Sequence, residues 1–172
     1  MKTFFINFKA FLSSIYSDTQ VRIAKKLSEK GLQISVAESC TGGLISSRLT
    51  DVEGSSAFVK ANFVSYSNQA KIDLLGVSSK ILDKYGAVSF ECAYEMAKGL
   101  VEKTQCDVAL VTTGIASAIK NSTEAGLIFI AVFYKDKIIV EKLELNRYFN
   151  RKNMKFMFSE QALRLVDKLL CD

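Results

Sequence analysis

The stretch GLQISVAESCTGGLISSRL, from Gly31 to Leu49, decides how this chain is read. Leu32 to Ala37 reads as a short strand. Ser39, Cys40, Thr41, Gly42 and Gly43 follow at once as a loop of small residues, and Leu44 to Leu49 resumes at helical spacing. A strand that turns through glycines straight into a helix is the first half of a β-α unit, and its loop stands on the side of an open sheet where ligands bind. Backbone N–H groups in such a turn can approach an anion at the helix N-terminus, where the macrodipole also favours negative charge. A glycine pair by itself more often permits only a sharp turn. Gly42 and Gly43 therefore leave two readings open, a plain turn or a cradle for a phosphate or an oxyanion.

Outward from this unit, Thr19 to Lys30 places Val21, Ile23, Ala24 and Leu27 at helical spacing, and Gly31 stands where a left-handed residue ends a helix. Phe63 to Tyr66 predicts a strand, and Ser67 and Asn68 are plausible caps for a helix carrying Lys71, Leu74 and Leu75, which Gly76 stops. Glu91 to Lys103 predicts a longer helix, and Asp107 to Thr112 is the nearly continuous apolar run of a strand buried on both faces. Leu127 to Tyr134 and Lys137 to Leu145 predict two strands joined by a tight turn at Lys135 and Asp136, before a last helix from about Lys152 to Leu170. The alternation predicts a single three-layer α/β/α domain with a mixed, mostly parallel sheet, spanning residues 19–172 behind a leading segment of residues 1–18.

The composition narrows the chemistry. The chain has 172 residues, 49% hydrophobic and 24% charged, enough for one substantial core. It has no proline, so glycine must punctuate the helices. Its four cysteines are scattered and show no C-x-x-C pair, which predicts reduced thiols and a cytoplasmic protein. The apolar runs of the first sixteen residues are broken by Lys2 and Lys9, too short for a signal core or a membrane span. A net charge of +5 and a pI near 9.0 suit a phosphate-bearing substrate, a nucleic acid or a membrane surface alike. The local basic run from Lys142 to Lys155 has a solvated face as its ordinary explanation.

The chain contains no histidine. That excludes a Ser-His-Asp triad, a Cys-His dyad and any histidine-ligated metal. A lysine whose pKa is lowered in a desolvated pocket can replace histidine as base toward a serine hydroxyl. The loops Ser39 to Gly43, Tyr66 to Lys71 and Thr112 to Ala116 all stand at carboxyl ends of predicted strands, so a serine–lysine pair is the economical candidate. Cys40 is a rival nucleophile without a histidine to form its thiolate, and reads as a packing residue.

AESCTGG (Ala37 to Gly43), LTDVEGSSAF (Leu49 to Phe58), YSNQAK (Tyr66 to Lys71), LLGV (Leu74 to Val77), YGAVS (Tyr85 to Ser89) and TGIA (Thr113 to Ala116) occur in this order. Together they resemble the C-terminal domain of the competence/damage-inducible protein CinA. The resemblance implies a nicotinamide-nucleotide amidohydrolase that converts nicotinamide mononucleotide to nicotinate mononucleotide and ammonia, with neither metal nor cofactor. It implies Ser39 as nucleophile, Lys71 as its base, and Tyr66 beside them, relaying a proton or orienting the lysine. It implies the backbone of Thr41, Gly42 and Gly43 as oxyanion or phosphate cradle, Thr113 and Gly114 as further substrate-binding residues, and Arg147 and Arg151 as grips on the substrate phosphate. It further implies the stand-alone form of the domain, a nucleotide as the small-molecule partner and a homo-oligomer. Family members continue TGIA into a glycine- and proline-rich loop, whereas Gly114 to Gly126 reads GIASAIKNSTEAG. That departure bears on specificity and turnover. The alternative reading is a non-catalytic or altered-specificity protein of competence or DNA-damage physiology. No helix-turn-helix, zinc finger or aromatic–basic interleaving supports nucleic-acid binding.

Overall fold

The first helix of the computed structural model, α1 (Thr19–Lys30), buries Ile23, Ala24 and Leu27 along one stripe and stops at Gly31, whose φ of 64° closes the last turn. The structure describes residues 18–117, 125–145 and 149–171. The leading segment read from the sequence, all but Asp18, lies outside them. After Gly31 come β1 (Ile34–Glu38), α2 (Leu44–Thr50), a 3₁₀ turn (Ser55–Ala57), β2 (Val59–Val64) and α3 (Asn68–Leu75). They are followed by α4 (Ser79–Tyr85), α5 (Phe90–Thr104), β3 (Val108–Gly114), β4 (Leu127–Tyr134), β5 (Lys137–Glu144) and α6 (Arg151–Leu169).

The sheet order is β2-β1-β3-β4-β5. β1 pairs in parallel with β2 and β3, while β3–β4 and β4–β5 are antiparallel, so the mixed sheet divides evenly between the two senses. The chain leaves β1 for β2 on one side and returns over β1 to β3 on the other. This reversal makes the carboxyl end of β1 a topological switch point, the place where an open α/β sheet leaves a crevice.

Strand alternation sorts the core into two layers. Ile34, Val36, Val108, Leu110, Ile128, Ile130 and Val132 face one cluster with Ile23, Leu27, Leu49, Phe158 and Leu163. Ala37, Ala109, Val111 and Ala131 face the other, with Met96 and Leu100 of α5 and Leu75 of α3. Small residues on this second face let α5 approach the sheet closely. Gly99 does the same toward α3, since a Cβ there would lie 1.7 Å from the carbonyl oxygen of Leu75.

A buried polar network joins the helices of the first layer. Arg48 of α2 meets Glu160 of α6 at 2.7 Å, both nearly inaccessible. Arg48 also donates to Ser159 and Gln20, and Glu160 accepts from Thr19 and Arg164. Losing one partner of such a pair strands a charge at a cost of about 3–5 kcal/mol.

Most sequence expectations for elements are met within a residue or two, with two differences. The strand expected at Phe63 to Tyr66 runs earlier, Val59–Val64, and leaves Tyr66 outside it. Only alternate residues of β2 are half-buried, because it is the sheet edge, and Lys60 and Asn62 on the open face hid the pattern. The helix α4 was not anticipated. Lys80, Asp83 and Lys84 dominate its composition, and Leu82 alone is buried. The turn at Lys135 and Asp136 is as expected, with φ of 50° and 60°, the pair of left-handed residues that a two-residue hairpin of primed type uses.

Candidate active site

Glu38, the last residue of β1, is fully buried and organises the loop that follows. Its carboxylate accepts the N–H groups of Gly43 (3.0 Å), Ile45 (3.1 Å) and Ser46 (2.8 Å) and the Ser46 hydroxyl (2.6 Å). The first turn of α2 is thereby capped by a charged side chain, at the helix end where negative charge is favoured. The loop is also pinned to β3: Ser39 N–H donates to the Thr112 carbonyl (3.1 Å), and the Thr41 and Thr112 hydroxyls are 2.9 Å apart. Ser39 is held at the switch point by bonds on both sides.

Across from it, Ser67 caps α3 by accepting the Ala70 N–H at 3.0 Å. One turn into that helix Lys71 points inward and is 1% exposed. Its Nζ lies 3.1 Å from Ser39 Oγ and 2.8 Å from the Ser65 carbonyl oxygen. No carboxylate pairs with it among the described residues. Burial drives its pKa below the ordinary lysine value, an effect only partly opposed by the nearby thiols of Cys92 and Cys40. That shift is in the direction that favours the neutral amine, the form able to accept a serine proton. Cys40 beside it goes the other way, because burial pushes its thiol up to about 12. At neutral pH it is no thiolate.

The pair lies at the base of a cleft of about 260 Å³ that also includes Tyr66, Asn68, Thr113, Gly114, Ser117 and Arg151. Of the residues expected from the sequence, Ser39, Lys71, Tyr66, Thr113, Gly114 and Arg151 are thus brought together. Thr113 serves partly in support, its hydroxyl donating to the Ala87 carbonyl at 2.6 Å and tying down the segment before α5. Tyr66 is 61% exposed at the mouth, and its hydroxyl accepts from Arg151 at 2.7 Å, with no bond to Lys71 or Ser39. The group that orients Lys71 is instead the Ser65 carbonyl.

The cradle expected from Thr41, Gly42 and Gly43 needs a similar correction. Gly42 N–H is taken by the Ser39 carbonyl and Gly43 N–H by Glu38, so neither faces the cleft. Their φ values of 61° and 89° show what the glycines supply, a left-handed path into α2. The N–H groups of Cys40 and Thr41 make no hydrogen bond to another of the described residues and are the donors left in the loop. Arg147 and most of the altered loop, residues 118–124, lie outside the described residues.

Two contributors were missed in the sequence, Glu38 and Ser65. An acid at the end of an otherwise buried strand was the available signal for Glu38. Nothing in residue type marks a carbonyl such as that of Ser65. A second cleft, about 550 Å³, lies at the other end of the sheet near Gln105, Asp107 and Tyr134. Among the described residues no helix is long and apolar enough to cross a membrane.

Known proteins share this sequence pattern and fold. Residues 17–170 match the CinA C-terminal domain family. A CinA-like protein of Chloroherpeton thalassium is 46% identical over 153 residues, 86% of this chain and 36% of that protein. A CinA-like protein of Geotalea daltonii is 43% identical over 150 residues, again 86% of this chain and 36% of its own length. The chain thus spans about a third of the curated relatives it matches. The crystal structure of a competence/damage inducible protein from Agrobacterium tumefaciens superposes with a TM-score of 0.83 at 32% identity, covering 91% of this chain and 97% of that one. A Klebsiella pneumoniae protein of the competence-damaged (CinA) superfamily superposes with a TM-score of 0.84 at 25% identity, covering 90% and 96%. With a switch-point serine and a buried lysine in contact, and with relatives that match from end to end of the domain, this chain belongs to the CinA C-terminal domain family.

Proposed function

We propose that this protein is an amidohydrolase that deamidates nicotinamide mononucleotide through a serine–lysine mechanism. The observation that carries the reading is the 3.1 Å contact between Lys71 Nζ and Ser39 Oγ, made by a lysine with no anionic partner among the described residues. A lysine kept for structure alone would be paired or solvated.

In this mechanism neutral Lys71 accepts the hydroxyl proton as Ser39 Oγ attacks the carboxamide carbon, and the carbonyl electron pair becomes an oxyanion. The Cys40 and Thr41 N–H groups are the donors available to it, each worth about 10²-fold or more in rate when well placed. The lysine ammonium, steadied by the Ser65 carbonyl, then protonates the leaving nitrogen, and ammonia departs. Water attacks the acyl ester, giving its proton to Lys71. Collapse returns that proton to Ser39 Oγ and releases the carboxylate. Arg151, which lines the cleft, meets the substrate phosphate in this reading.

Ammonia release from nicotinamide mononucleotide by the purified protein tests the reading. Turnover is expected for the wild type and only background for folded Ser39→Ala. Equal release by both would remove the mechanism, and no release by either would remove the activity.

A further inference from the structure

The two edges of the sheet are built differently. β2 has six residues, its register with β1 shifts beside Lys60, and that lysine, its only charged side chain, is drawn off to the Gln105 carbonyl at 2.9 Å. β5 has eight residues, pairs with β4 without a break in register and contains no proline. Among the described residues no strand lies against its outer side. A long, regular edge with free main-chain donors and acceptors is a template for another strand.

The hairpin decides which groups of β5 are free. Its two-residue turn at Lys135 and Asp136 makes Tyr134 and Lys137 the closing hydrogen-bonded pair. The main chain of Lys137, Ile139, Glu141 and Leu143 therefore bonds β4, and that of Ile138, Val140 and Lys142 points outward. The side chains of Ile138 and Val140 turn to the layer that holds α5, and Lys137, Ile139 and Glu141 lie along the opposite face. Ile139 is 38% exposed. Lys142 meets Glu144 at 2.9 Å, whereas Lys137 and Glu141 make no ion pair among the described residues.

We infer that β5 is the interface for a second copy of this chain, two β5 strands joining antiparallel about a twofold axis at Ile139. In that register Ile138 faces the partner's Val140, and because both direct their main chain outward they exchange hydrogen bonds. Ile139 meets the partner's Ile139 on the axis. Lys137 stands opposite the partner's Glu141, and the symmetry repeats this pair on the other side, so both unpaired charges are matched at once. Neighbouring registers do worse. An axis at Val140 sets Ile139 against the partner's Glu141 and Lys137 against the partner's Leu143, and an axis at Glu141 sets two carboxylates face to face. The contact is isologous and closed, so it covers the edge without propagating into a fibre. Gly114 of the cleft registers through Ile128 with Leu143, which leaves residues 137–141 toward the far end of the sheet, and the interface does not rest on the amidohydrolase reading.

Sedimentation velocity of the full 172-residue chain over a range of micromolar concentrations tests the interface. The wild type is expected to dimerise. Lys137→Glu and Glu141→Lys are each expected to weaken association by about tenfold or more, and the double exchange Lys137→Glu with Glu141→Lys to restore it. Ile139→Cys, made on a Cys171→Ser background, is expected to form a disulfide-linked dimer on mild oxidation, because a non-hydrogen-bonded pair holds its Cα atoms about 4.5 Å apart. This cross-link needs no change of charge and decides the matter where a charge variant fails to fold. A monomeric wild type, a dimer indifferent to either single charge reversal, a double exchange that stays monomeric, or no cross-link through position 139 would each overturn the inference.

Discussion

Replacing Lys71 by methionine separates what this residue does for catalysis from what it costs the fold. In the wild type the side chain is buried to within 1% and bonds only two neutral oxygens, at 3.1 and 2.8 Å. Desolvation lowers its pKa in the folded state, so the unfolded chain binds the proton more tightly. The sign follows directly. Above the unfolded value, near 10.4, both states are neutral and ionisation contributes nothing. As pH falls below it, the unfolded state protonates first and the wild type loses about 1.4 kcal/mol per pH unit, until the folded pKa is reached and the loss levels off. The thioether of the Lys71→Met variant has no proton to bind and so no such dependence. Against this, the variant forfeits two hydrogen bonds and leaves the Ser65 carbonyl bare, at about 1–3 kcal/mol. Urea denaturation of both proteins from pH 6 to 10 should show Lys71→Met gaining stability relative to wild type as pH falls. The plateau should begin at the pH where wild-type kcat/KM loses its acid limb. Activity of Lys71→Met should fall by about 10³-fold or more. A stability difference that is flat across this range, or that favours the wild type increasingly at low pH, would refute the claim that an unpaired amine is held neutral beside Ser39.

Two further outcomes follow from the surroundings of the pair. Cys40→Ala should retain most activity, and neutral-pH iodoacetamide should leave the buried Cys40 unlabelled in peptide mass spectra, since its thiol is pushed up to about 12. Glu38→Gln keeps the shape but can accept through one oxygen only, where the carboxylate takes four donors. It should lose about 2–4 kcal/mol in chemical denaturation, and kcat should fall more than KM rises as the Ser39 loop loosens.

Much of this architecture was legible because local chemistry and tertiary role coincide. Gly31 and Gly76 end helices at positive φ, Ser67 caps the helix that carries Lys71, and the apolar run at Val108 announces a central strand. The serine–lysine candidates also followed from elimination, since a chain without histidine leaves few bases. What stayed hidden depends on partners far away in sequence. β2 reads as a strand only beside β1, because its open face is polar. The glycine pair suggests an anion cradle until Glu38, an internal anion, is seen to fill the helix end. Tyr66 sits in the expected motif, yet Arg151, 85 positions later, takes its hydroxyl.

The central claim is that Ser39 Oγ, activated by Lys71, forms the covalent bond to substrate. Acid quench of a single turnover with nicotinamide mononucleotide, followed by peptide mass analysis, tests it most directly. The account predicts an acyl adduct of the nucleotide on Ser39 that decays as nicotinate mononucleotide appears and that Ser39→Ala never forms. Ammonia release at wild-type rate with the adduct on Cys40, or from folded Ser39→Ala, would contradict it.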